Sequence, residues 1–333
     1  MKLQQVIFYC HNLTAIQNSE FLKDLKSHNV DLFFFQPNRK AANISAILKD
    51  RALLLTDLPD GQNFSNVLHV PYLGKYDTQN SFDYSDAVSL FEEIESLTYS
   101  YVVHQWHRAM GLPITICSTE RIIIRELTME DIPNLYHLYQ NPENTAFLPE
   151  RGMTLEEEIE HHRQYQKCCY EFLGYGLWGI FLKNNTLIGH AGIQNINFDK
   201  LNCPDSLSLE SSTPIELCYL IDKPFQKQGY AREAVYEIYR YASKELEIKH
   251  LACFVAKNNL SSIKLAMDMG MKPYSEGIYQ DFPCRIFVSE KLSDWIPFYE
   301  KERKRTQAAR YTWREAQRKP IQSVYKKLYK RNR

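Results

Sequence analysis

Between Val6 and Tyr72 the chain alternates short apolar runs, VIFYC, VDLFFF, ALLLT and VLHVPY, with polar stretches that carry apolar residues at helical spacing. The polar stretches are SEFLKDLKSHN, from Ser19 to Asn29, and KAANISAILKD, from Lys40 to Asp50. Runs of four to six β-prone residues separated by amphipathic helices predict strand–helix–strand units on a parallel sheet. The first 112 residues therefore read as a Rossmann-like three-layer α/β domain. The stretch from Glu92 to Met110 is helix-compatible and rich in aromatics, and Gly111-Leu112-Pro113 breaks it. A domain boundary is expected between Gly111 and Thr119.

A second pattern begins with the strand RIIIREL and the helix TMEDIPNLYHLYQN, where Thr128 and Asp131 have the spacing of a capped helix start. A helix from about Thr154 through Cys169 is followed by strands GLWGIFL, TLIGHAGIQNI and PIELCYLI. Helix REAVYEIYRYASKEL, strand HLACFVA, helix SSIKLAMDMG and strands MKPYSEG and CRIFVSEKL complete the order β-α-α-β-β-β-α-β-α-β-β. The fold class is α/β with two domains, residues 1–112 and 119–292, and a basic, helix-compatible tail over residues 293–333.

Composition agrees with an ordered chain: 333 residues, 44% hydrophobic, 13% aromatic, with 12 Gly and 14 Pro. Charge changes the picture only when divided. The 40 basic and 40 acidic residues cancel overall, but residues 301–333 hold 13 Lys/Arg against Glu302 and Glu315. That tail interleaves aromatics with its cations. Three roles are open to it: contact with RNA or the ribosome, attachment to anionic lipid, or packing against the acidic body.

Eight cysteines occur without a Cys-x-x-Cys pair, and no His stands at zinc-finger spacing, so no metal site is indicated. His104 and His107 lie three apart in YVVHQWHRAM but lack a carboxylate or Cys at useful spacing. The short N-terminal apolar stretch reads as a first strand rather than a signal segment, and no run reaches membrane-spanning length. Free thiols and no leader point to the cytoplasm.

The chemistry concentrates at residues 215–238, where the strand IELCYLI runs through Gln226-Lys227-Gln228-Gly229-Tyr230-Ala231 directly into a helix. Free N–H groups at a helix start, reinforced by its dipole, suit a pyrophosphate. Gly229 permits unusual backbone angles, the small Ala231 keeps the helix close to the ligand, and Lys227 and Arg232 add positive charge. This loop resembles the (Gln/Arg)-x-x-Gly-x-(Gly/Ala) acyl-CoA loop of the GNAT acetyltransferases. NLSSIKLAMDMGM, downstream, resembles that family's Asn-x-x-Ser-x-x-Leu helix, and RIIIREL with TMEDIPNLY looks like the opening of the ribosomal-protein N-terminal acetyltransferase branch.

The resemblance implies an N-acetyltransferase of residues 119–292 that uses acetyl-CoA as cosubstrate and a primary amine as acceptor. By position it implies that Gln226, Gly229 and Ala231, with the amides of Lys227, Gln228, Tyr230 and Arg232, hold the pyrophosphate. Asn259 would contact the pantetheine arm and Ser262 would donate to the departing thiolate. Glu216 is the candidate base, and the Leu220 amide or a neighbour is the candidate oxyanion donor. The tyrosine that many such enzymes use as acid is replaced by Ala266, so Ser262 or Tyr279 is expected to substitute. A non-catalytic acyl-CoA sensor or RNA-associated adaptor is the rival reading. In the first domain, Asp57 and Asp60 follow the ALLLT strand, a faint resemblance to haloacid-dehalogenase-like hydrolases; the nucleophile motif of that family is absent, since the first strand leads into Cys10-His11-Asn12-Leu13.

Overall fold

The computed structural model describes residues 2–37, 44–76, 84, 86–148, 152–203, 207 and 213–301. It divides into two compact units, Met1–Ile114 and Thr115–Arg333.

In the first unit, β1 (Gln5–Tyr9), helices α1 (Leu13–Gln17) and α2 (Glu20–Ser27), β2 (Asp31–Phe35), β3 (Ala52–Thr56), α3 (Gly61–Leu68), β4 (Tyr72–Lys75), β5 (Ser89–Phe91) and α4 (Tyr99–Ala109) follow in order. The five strands are parallel in the order β2-β1-β3-β4-β5. β1 and β3 are buried at every position, because apolar layers cover both faces of the sheet. Val6 and Phe8 pack with Phe21, Leu25, Val102 and Trp106 on one face, and Ile7, Leu54 and Leu68 form the core on the other.

Two sequence expectations are corrected here. VLHVPY is not one strand: Val67 and Leu68 end α3, His69 reverses the chain in the left-handed conformation, and pairing starts at Tyr72. Of the helix expected from Lys40 to Asp50, the described part is a single 3-10 turn at Ile44–Ala46. Asp57 accepts from the His11 amide, and Asp60 from the Tyr9 hydroxyl. Burial lowers the His104 pKa to about 4, which fits packing. No group of three or more potential metal ligands occurs among the described residues.

The second unit runs β6 (Thr115–Ser118), β7 (Ile122–Arg125), α5 (Ile132–Gln140), α6 (Pro142–Thr145), α7 (Leu155–Tyr165), β8 (Leu177–Leu182), β9 (Leu187–Gln194), β10 (Leu201–Asn202), β11 (Ile215–Ile221), α8 (Tyr230–Lys244), β12 (Leu251–Ala256), α9 (Leu260–Asp268), β13 (Lys272–Tyr279) and β14 (Phe282–Val288). Thr128 and Asp131 form the anticipated capping box. A π-helical segment, Gln166–Leu173, continues α7. The nine-stranded sheet has the order β10-β13-β14-β12-β11-β9-β8-β7-β6. Every neighbouring pair is antiparallel except β11 and β12.

One face of this sheet is covered by α8 and α9, whose Ala234, Ile238, Tyr239, Ala242 and Ala266 join Leu217, Leu251 and Val255 in the main core. Residues 293–301, expected to open the tail, continue a helix that starts at Leu292, and Leu292, Trp295 and Ile296 belong to the same core. The remainder of the basic tail, 302–333, lies outside the described residues. Among the described residues no helix is long and apolar enough to cross a membrane.

Gly270 sits after α9 with φ +77°, and an added Cβ would fall on the indole of Trp295. Gly270→Ala therefore both strains the backbone and pushes the 292–301 helix off its seat. A loss of roughly 1–3 kcal/mol is expected, read as a lower urea midpoint by tryptophan fluorescence; an unchanged midpoint would mean that this helix is not docked there.

Candidate active site

The one parallel pair among the described strands of the second sheet is joined over two residues only. β11 and β12 are in register only at Ile215↔Leu251 and Glu216↔Ala252, after which β11 continues to Ile221 and β12 to Ala256 unpaired with each other. The strands splay, and Glu216 stands at the vertex.

Ladder alternation tells which β11 amides face the opening. Asp222 N–H donates to Ile188 at 2.9 Å, so residues 216, 218, 220 and 222 bond with β9. The amide of Leu220, the expected oxyanion donor, is thus spent on β9. Those of Tyr219 and Ile221 point toward β12.

Glu216 is 6% exposed. Its Oε2 accepts from Gln194 Nε2 at 2.9 Å and from the Tyr279 hydroxyl at 2.8 Å. Burial pushes its pKa up, with the hydrogen bonds from Gln194, Tyr279 and Cys218 opposing. Tyr279 is fixed in turn by the Asn197 amide at 3.2 Å and by stacking on Phe254 with ring centroids 4.1 Å apart. The structure thus ties Tyr279 to Glu216. Burial holds the thiols of Cys218 and Cys253 well above their usual pKa, so both stay protonated and inert.

On the opposite parity of β11, the Tyr219 hydroxyl reaches α9 and donates to the Ser262 carbonyl at 3.4 Å. Sequence reasoning passed over Tyr219 because it looked for a tyrosine at Ala266, which is buried in the core. The signal was present: IELCYLI places Glu216 and Tyr219 on alternate faces of one strand. Asn259 is the N-cap of α9, its Oδ1 accepting from Ser262 N at 3.1 Å and from the Ser261 hydroxyl at 3.0 Å. This fixes its amide oxygen and leaves Nδ2 as the group for a ligand.

The loop from β11 to α8 turns through Lys227 at φ +60° and Gly229 at φ +87°. A left-handed residue at the N-cap of α8 is the reason for glycine here. Gln226 Nε2 donates to the Ile221 carbonyl at 2.8 Å, so its side chain anchors the loop. Gln228 Nε2 does the same at Pro224, at 2.9 Å. The amides of Gly229, Tyr230, Ala231 and Arg232 have no partner among the described residues. Arg232 is paired with Asp268, so its charge is partly offset. Four unspent N–H groups at the start of a 15-residue helix fit an anionic pyrophosphate.

Glu216 yields a pH test. Its folded pKa is raised, so between the unfolded glutamate value, about 4.3, and the folded one the native state binds more protons and stability falls as pH rises. Glu216→Gln removes that penalty. Its melting temperature should gain on wild type as pH rises from 4 to 8; a difference independent of pH would contradict the assignment.

Residues 121–272 match the family model of the acetyltransferase (GNAT) domain. The chain is 22% identical over 169 residues, 50% of its length and 87% of the relative's, to YoaA, an uncharacterised N-acetyltransferase of Bacillus subtilis strain 168. Among solved structures, a GNAT-family acetyltransferase from Bacillus anthracis is 16% identical with a TM-score of 0.40, covering 51% of this chain and 94% of its own. RimL, a ribosomal L7/L12 α-N-protein acetyltransferase in complex with coenzyme A, is 16% identical with a TM-score of 0.43, covering 54% and 98%. The family match spans the splayed strands, the loop and α9 together, and the cosubstrate of that family is acetyl-CoA.

Proposed function

We propose that residues 115–301 transfer an acetyl group from acetyl-CoA to a primary amine by direct attack, with no covalent enzyme intermediate. The observation that carries this reading is the position of Glu216: a buried carboxylate of raised pKa at the vertex of the splay, on the strand that feeds the free amides of α8. Acetyl-CoA supplies the activated thioester. An attacking amine must be neutral, and Glu216 accepts its proton directly or through a water; the raised pKa makes it a better base near neutral pH. The Tyr219 and Ile221 amides face the opening and are placed to stabilise an oxyanion. Ser262, whose backbone N–H and carbonyl are held by Asn259 and Tyr219, donates its hydroxyl proton to the departing sulfur.

The acceptor is a primary amine of a protein N-terminus or a small molecule. Its side is read as bordered by residues 170–178 and by the polar insert 198–213, in which Phe172 and Phe198 are exposed. Part of the 198–213 insert lies outside the described residues. Unlike a sensor, which needs only the loop, a transferase needs a buried carboxylate at the vertex.

Glu216→Gln should lower kcat for thiol release with pooled amines and peptide N-termini by roughly 10²–10⁴-fold, while acetyl-CoA affinity stays within about threefold, under 1 kcal/mol. Undiminished turnover would remove Glu216 as the base even in an active enzyme.

A further inference from the structure

Arg121 lies at the start of β7, more than a hundred residues before the loop, yet its guanidinium is committed almost wholly to it. Nη1 donates to the Gln228 carbonyl at 3.1 Å, Nε donates to Glu233 Oε2 at 2.7 Å, and Nη2 pairs with the same carboxylate. The guanidinium carbon sits 4.7 Å from the centre of the Tyr230 ring. The Thr119 hydroxyl donates to the other Glu233 oxygen at 2.6 Å. Three residues around Gly229, namely Gln228, Tyr230 and Glu233, are therefore gripped by one side chain.

The consequence follows from peptide geometry. No cis peptide bond occurs among the described residues, so the Gln228 carbonyl and the Gly229 N–H point in opposite directions. Anchoring the carbonyl on Arg121 turns the Gly229 amide outward, the first of the four unspent donors. Gly229 in the left-handed region, with Lys227 likewise two residues earlier, is free to rotate this peptide unless something holds it. Three of the five N–H groups of Arg121 are spent on Glu233 and Gln228, which makes it a brace of the loop.

We infer that Arg121, braced by Glu233 and Thr119, is a positioning residue that pre-sets the Gln228–Gly229 peptide for the pyrophosphate of the acyl donor. This rests on the acetyl-CoA reading of the loop. Pre-setting a donor acts on binding of the pyrophosphate and leaves the chemistry at Glu216 untouched.

The test compares wild type, Arg121→Ala and the milder Arg121→Lys, each checked for an intact melting transition, with acetyl-CoA and with S-acetylpantetheine, which lacks the pyrophosphate. For Arg121→Ala the KM for acetyl-CoA should rise roughly tenfold with kcat within about twofold, and kcat/KM for S-acetylpantetheine should hardly change. Arg121→Lys should not restore the KM, because one ammonium cannot grip both the carbonyl and the carboxylate. An unchanged acetyl-CoA KM, an equal loss with both donors, or full rescue by lysine overturns the clamp. A wild type that neither binds nor turns over acetyl-CoA overturns instead the reading beneath it.

Discussion

The end of hydrogen bonding between β11 and β12 after Glu216 and Ala252 is the constraint on which the second unit's site depends. A sheet continued past that point would consume the Tyr219 and Ile221 amides and close the space between Glu216 and α9. The polar groups freed by the splay are partly re-satisfied by side chains. Cys253 Sγ donates to the Leu217 carbonyl at 3.2 Å, and Tyr219 reaches across to Ser262. These cross-links let the two strands stand apart without leaving every buried backbone group unpaired.

Around that opening the two faces of β11 divide the work. Glu216 and Cys218 point to the face with Tyr279 and Gln194, where burial raises the carboxylate pKa against the opposing hydrogen bonds. Tyr219 points to the face with α9. At its carboxyl end the strand delivers the chain into a helix start whose amides are unspent, with Arg121 and the Gln226 side chain holding the turn. One strand thus carries the proposed base, the link to the proposed thiolate donor, and the approach to the proposed anion site, each fixed by a different neighbour.

How legible this was depended on sequence distance. The loop was readable because Gly229, the preceding strand and the following helix are adjacent, and local backbone demands name their residues. Glu216 was readable from its place in IELCYLI. Arg121 and Glu233 were not, since 112 positions separate them and neither stands out alone. Leu220 was misplaced because which amides a strand leaves free depends on the register with β9, which composition does not encode. In the first unit, alternation predicted strands on a parallel sheet, and the strands are parallel. Yet VLHVPY was misjudged because its valines serve α3 and the turn after it, and propensity yields there to the reversal at His69.

The central claim is that the loop before α8 holds an acyl-CoA, and calorimetric titration of the full chain with acetyl-CoA, alongside Gly229→Glu, tests it most directly. The account predicts saturable binding by wild type and none by the variant, whose side chain would demand φ +87° of a non-glycine residue and bring a negative charge to the anion site. Absence of binding to wild type, or equal binding by both, would contradict it.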